Sequence, residues 1–191
     1  MGGWRKSYEY AILITKLSRP GADEPDVKGL YRYQQKEGKK MYHTVDELET
    51  FDFSQAQIFE IREYRDQIIF ELGYVTIHGT NSCNRDIRDM GTNALQLKLT
   101  GVGERTLTLE GYRLFDADGN PKGGCEDEVI AEENLKKAYQ NLQESTIYSL
   151  EKKDGVYSFY LDTEERTYSF VIKAEHDAQE WERFMNKTPT Y

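Results

Sequence analysis

The sequence predicts an α+β domain, a curled and mainly antiparallel β-sheet of about eight or nine strands covered by two main helices and one short one. Three observations lead there. Leu95, Leu97 and Leu99 alternate with Gln96, Lys98 and Thr100, the period of a strand buried on one face. Ala131, Leu135, Ala138, Tyr139 and Leu142 fall at the i, i+4, i+7, i+8, i+11 spacing of a helix lying on a sheet. Fourteen tyrosines among 191 residues favour strands with one half-wet face.

In chain order, Tyr8 to Leu17 reads as a strand, ended by the loop "SRPGADEPD" with two of the four prolines. Leu30 to Gln35 and Lys39 to His43 flank Gly38 as a hairpin whose tip carries the basic run "KEGKK". "TVDEL" opens the short helix, residues 44–51, with Thr44 and Glu47 as a capping box. Ile58 to Ile77 forms two strands around Tyr64 to Asp66. A polar loop, "HGTNSCNRDIRDMGTN", leads to the Leu95 strand, and "GVGE" turns it back. On the return strand the apolar phase slips by one between Glu110 and Tyr112, which a β-bulge at Gly111 would absorb while Tyr112 and Leu114 stay on the core face. The first main helix covers residues 127–143. Three strands follow, Thr146 to Glu151, Val156 to Leu161 and Thr167 to Ala174, the first two joined by "KKDG". Asp177 and Glu180 then suggest a cap and box for a closing helix, residues 177–186, with Ala178, Trp181, Phe184 and Met185 inward.

No low-complexity segment or compositional break divides the chain, so residues 1–191 are expected to form a single domain. One internal echo stands out. "IFEIREYRDQIIFEL" at 58–72 and "IYSLEKKDGVYSFYL" at 147–161 place isoleucine, an aromatic, an aliphatic, phenylalanine and leucine at the same offsets. Two hairpins of equal length would look alike for that reason alone, and a duplicated β unit would look the same.

The formal charge of −9 argues against nucleic-acid binding, which needs clustered Lys and Arg. The longest apolar run, Tyr10 to Ile14, is far short of the ~20 residues of a membrane helix. Glu9 and Lys16 bracket it too closely for a signal peptide, and Lys6 stands where a myristoylation signal needs a hydroxyl. A cytoplasmic location is therefore expected, with Cys83 and Cys125 as thiols, although a bridge between them is left open.

Several stretches invite a chemical reading. "DADGN" offers Asp116, Asp118 and Asn120 at the first three spacings of a calcium loop, but Pro121 occupies the glycine position and Asp127 the glutamate position. Asp-Gly before Asn-Pro reads instead as a turn. Glu126, Asp127, Glu128, Glu132 and Glu133 form an acidic cluster. Carboxylates in a helix's first turn account for three of the five and leave Glu132 and Glu133 as an excess. Glu126, Glu128, Glu132 and Glu133 are the candidates for contact with a basic protein partner. His78, Ser82 and Cys83 lie close in sequence, as a nucleophile and base would, and as ordinary loop residues do. "NRDIRDMG" sets Arg85, Asp86, Arg88 and Asp89 in alternation, able to grip an anion or to neutralise one another. His43, His78 and His176 share no chelating spacing, and "GVGE" lacks the third glycine and the helix of a nucleotide loop. No catalytic residue, cofactor or metal is expected from these patterns.

The closing stretch "ERTYSFVIKAEHDAQEWERFM" resembles the last strand and capping helix of pleckstrin-homology-like domains, with Trp181 as the residue that plugs an open barrel. The resemblance implies fold alone, because the basic first hairpin that recognises inositol phosphates in that family is not visible. In general character a small, acidic, strand-rich chain also resembles bacterial toxin-immunity proteins. The leading expectation is a non-enzymatic protein-binding module. The alternative is a small-ligand binder or hydrolase with a pocket in the curled sheet, rimmed by His78, Arg85, Asp86, Arg88 and Asp89.

Overall fold

The computed structural model describes residues 41–187. The expected strand at Tyr8 to Leu17, the proline-bearing loop, the Leu30 to Gln35 arm and the "KEGKK" tip lie outside the described residues. Within them the chain is mostly antiparallel β-sheet. In order it forms β1 (Tyr42–Val45), β2 (Phe51–Asp52), β3 (Gln57–Tyr64), β4 (Gln67–Gly73), β5 (Val75–Ile77), β6 (Met90–Thr92), β7 (Leu95–Thr100) and β8 (Arg105–Leu109). Then come β9 (Tyr112–Phe115), β10 (Pro121–Cys125), β11 (Glu128–Val129) and helix α1 (Leu135–Asn141). The chain closes with β12 (Thr146–Lys153), β13 (Val156–Asp162), β14 (Thr167–Lys173), β15 (His176–Trp181) and β16 (Met185–Asn186).

A large sheet of ten strands runs β1-β15-β7-β4-β3-β12-β13-β14-β8-β11, beside a four-stranded sheet β16-β6-β5-β2 and a two-stranded ribbon β10-β9. The large sheet is not a closed barrel: β1 and β11 are its edges. Its concave face buries the alternation read from the sequence, Leu95, Leu97 and Leu99 on β7 among them. Phe70 of β4 and Phe159 of β13 stack at 4.6 Å between centroids, although two strands separate them in the sheet, so curvature brings opposite limbs into contact.

The two hairpins at 58–72 and 147–161 share their hydrogen bonding position for position, 89 residues apart. Each ladder skips one residue at the same place, between Ile58 and Glu60 and between Ile147 and Ser149. Gln55 (φ 69°) donates to the Ile147 carbonyl and Glu144 (φ 68°) to that of Ile58. Ile58 donates to Ser145 and Ile147 to Ala56. The correspondence extends to the whole sheet. Taking β1, β3, β4, β7, β8 as one set and β11 to β15 as another, the strand order reads alike from either edge. The fifth strand of each set sits in the other's half, β8 beside β14 and β15 beside β7. Even the ion pairs that cross between limbs correspond, with reversed sign: Glu63 with Arg105 at 2.7 Å, Lys152 with Asp177 at 2.6 Å.

Four expectations are corrected. The closing helix at 177–186 is strand β15 followed by the short β16. Asp177, Gln179 and Trp181 point inward, while His176 and Glu180 do not. Two of the three inward residues are polar, which hides the strand alternation and leaves Ala178, Trp181, Phe184 and Met185 at a helical spacing by coincidence. Trp181 is 1% exposed as a strand residue, stacked on Tyr42 and edge-on to Phe51. Phe184 is half-buried and Met185 exposed. Without that helix, the likeness to a pleckstrin-homology-like closing unit falls.

The helix expected at 127–143 shrinks to a 3-10 turn, Glu132–Asn134, and α1. Its first residues are held in extended form, because β11 pairs with β8 and the Ile130 N–H donates to Leu107. Leu135, Ala138, Tyr139 and Leu142 are its buried stripe, and Ala131 is exposed. The short helix at 44–51 is one 3-10 turn, Leu48–Thr50. Thr44 belongs to β1, where its hydroxyl donates to Gln179, and the Glu47 carboxylate accepts from Ser82 instead of capping. Gly111 is a change of sheet and not a bulge. A Cβ there would stand 2.3 Å from the Cys125 carbonyl, so only glycine lets the chain leave β8 for the ribbon, where Tyr112 and Leu114 are exposed.

Replacing Trp181 by alanine should lower unfolding free energy by about 3–5 kcal/mol, the cost of truncating a buried aromatic. Denaturant midpoints of the two forms measure it, and an unchanged midpoint would remove β15 from the core.

Candidate functional site

The ribbon projects where the chain crosses from β8 to β11. All of β9 and β10 is exposed. Its tip is the "DADGN" turn: the Asp116 carboxylate accepts from the N–H groups of Asp118 (3.0 Å) and Asn120 (2.8 Å), and Gly119 takes φ +84°. Those bonds, Asn120 first, hold Asp116 below the usual carboxylate range. At the root, Arg166 donates to the Glu110 carbonyl and lies over the Tyr112 ring at 5.6 Å, and the Gly111 N–H donates to Asp127. The ribbon presents Leu114 at 51% and Phe115 at 58% exposure.

From Glu110 to Glu133 eight acidic residues stand against Arg113 and Lys122, so this segment carries a net −6 of the chain's −9. Glu126, Glu128 and Glu133 are exposed, and no ion pair engages them among the described residues. Glu132 reaches Arg105 at 3.3 Å, so part of its charge belongs to the fold.

An open cleft of about 480 Å³ lies between β12 and the chain from Leu48 to Ser54. Phe51, Phe53, Tyr148 and Leu150 give it apolar walls, with Glu49, Asp52, Lys152 and His78 as its ionisable groups. Lys152 is turned to Asp177, which accepts at 2.6 Å, and His78 Nδ1 lies 3.1 Å from Asp89. The His78 bond holds Asp89 below the usual carboxylate range.

The other loop residues go elsewhere. Arg85 and Asp86 line a smaller cleft of about 190 Å³ with Tyr42, Cys83, Met90 and Phe184. Arg88 clamps Asp86 with two nitrogens and holds its carboxyl at about 2, the self-neutralising arrangement. Arg88 and Asp89 line neither cleft. Ser82 donates to Glu47 at 2.6 Å, and the Cys83 sulfur faces the His43 carbonyl at 3.6 Å. His78, Ser82 and Cys83 are thus each engaged with a different group. Both cysteines are free thiols, Cys125 exposed on the ribbon.

Sequence reasoning missed a buried polar cluster. Asp177 has no exposed surface, and it accepts from Lys152, from the Tyr157 hydroxyl at 2.8 Å and from Gln179 at 2.6 Å, while Thr44 donates to Gln179 at 2.7 Å. His176 pairs with Asp46 at 2.9 Å at its margin. The signal was available in the polar residues at alternate positions of β15. Among the described residues no three His, Cys, Asp or Glu side chains converge as a metal site requires, and no helix is long and apolar enough to cross a membrane. Comparison with protein-family models, with curated proteins and with solved structures finds no match to this chain.

The polar cluster makes an alkaline prediction. Burial pushes the Tyr157 phenol up to about 12. Burial alone would lower Lys152, but its bonds to Asp177 and Tyr157 outweigh that and raise it. Both groups keep their protons in the folded state at pH values where the unfolded chain loses them. Their contribution is therefore complete below about pH 10 and is lost as pH rises towards 12. Urea midpoints between about pH 9 and 11.5 should fall, and more gently in Tyr157→Phe. Equal slopes would contradict it.

Proposed function

We propose that this chain is a non-enzymatic protein-binding module, of the general character of a toxin-immunity protein, that docks a basic partner through the β9–β10 ribbon. The carrying observation is the coincidence of Leu114 and Phe115, exposed on a two-stranded arm, with a segment holding two thirds of the net charge. A two-stranded ribbon adds little to the stability of a fold, and its exposed apolar side chains add less, so stability does not explain them. An apolar centre with acids around it suits a partner surface that offers an apolar recess framed by Lys and Arg. Glu126, Glu128 and Glu133 would steer the encounter, and Leu114 and Phe115 would hold the complex.

The test separates those roles. Leu114→Ser with Phe115→Ser should leave the melting temperature within a few degrees, since surface changes cost within about 0.5 kcal/mol, and should speed dissociation of the partner that the native chain retains. Glu126→Lys with Glu128→Lys should slow association about tenfold or more at low salt, with the difference shrinking as salt rises. A partner bound equally by all three forms would place the interface elsewhere.

A further inference from the structure

Beyond the ribbon, we infer that the cleft against β12 binds a small cationic molecule with a flat apolar body, an aryl-alkyl amine or guanidine. The inference starts from the correspondence between the two strand sets. Thr44, opposite Gln179, matches Ile130, bonded to Leu107, and the Phe53 carbonyl, bonded by Ala56, matches that of Leu142, bonded by Ser145. Between those points the second set has room for a 3-10 turn and α1, whose Tyr139 hydroxyl reaches Glu63 of β3 at 3.0 Å. The first set is three residues shorter there and makes the turn Leu48–Thr50 and the short strand β2, with no helix. Nothing of that set corresponds to the helix, so the β12 positions equivalent to the helix-covered part of β3 are left under an open cleft of about 480 Å³. That volume is within the range of small-ligand sites, roughly 300–1,000 Å³.

Charge selects the ligand. Glu49 is exposed with no partner among the described residues, and Asp52 uses one carboxylate oxygen on Ser54, leaving the other free. The two bases are already matched, Lys152 by Asp177 and His78 by Asp89. The field in the cleft is therefore negative, with the exposed Tyr148 and the largely buried Phe51 and Phe53 in its walls, a setting that favours a cation able to lie against an aromatic ring.

The test is an amide-shift NMR titration of the whole chain with 2-phenylethylamine, 2-phenylethanol and 3-phenylpropionate. The amine should perturb residues 48–54 and 148–152 and bind more tightly than the alcohol by up to about fivefold, with the carboxylate weakest, since one exposed charge contact is worth up to about fivefold. Glu49→Gln with Asp52→Asn should erase the preference of amine over alcohol. If that variant fails to fold, raising the salt on the native chain should narrow the same preference. No binding of the amine at millimolar concentration, equal affinity for the three probes, shifts mapping outside the cleft, or a preference that survives both charge removal and salt would each overturn the inference.

Discussion

A carboxylate with no access to water sets the terms for this fold. Burying Asp177 without partners would be prohibitive, and its two oxygens are matched by an ammonium, a phenol and an amide from three places in the sequence. Lys152 and Tyr157 come from the β12–β13 hairpin, and Gln179 comes from the same strand as Asp177 and ties back to Thr44 on β1. Satisfying that one group therefore fixes β15 between β1 and β7 and requires the sheet to curl until β12 and β13 face it. It also turns Lys152, which lines the cleft, towards Asp177.

The exchange of fifth strands has a physical consequence. Because β8 completes the half built from β12, β13 and β14, and β15 completes the half built from β3, β4 and β7, neither set can bury its core alone. The rings of Phe70 and Phe159 stack where the two halves meet, and one continuous apolar cluster runs through both. Pairings such as Tyr42 with Trp181 join distant parts of the chain, so loop-closure entropy must be met before the edge strands are rewarded.

Both candidate surfaces lie where the correspondence between the halves breaks. Two of these departures lie on connections: the ribbon between β8 and β11, and the turn Leu48–Thr50, which is shorter than α1. Neither departure improves burial: one adds exposed apolar surface and carboxylates, and the other leaves a cleft uncovered. Both lie on connections, where a change of length or charge leaves the ladders intact.

Local pattern alone determined much of this. The alternation of β7, the turns at "DADGN" and "KKDG", and the two matching hairpins were legible because each depends on residues within a few positions: Asp154 and Gly155 both adopt positive φ, as their side chains permit, and Asp116 bonds its own turn. The acidity of the residues that flank the ribbon was legible too, since charge is additive along the chain. The tertiary structure decided what local pattern could not. His176 to Trp181 looked helical because Asp177 and Gln179 occupy core positions, and polar residues belong there only when Lys152, Tyr157 and Thr44 arrive from elsewhere. Residues 128–130 pair with β8 before α1 begins, a choice between helix and ladder that rests on a strand twenty positions earlier. Tyr112 and Leu114 had the spacing of a core strand, and only the crossing at Gly111 put them in water. In the first two cases the deciding partner lay outside the local pattern, and periodicity carries no information about which other strand will supply it.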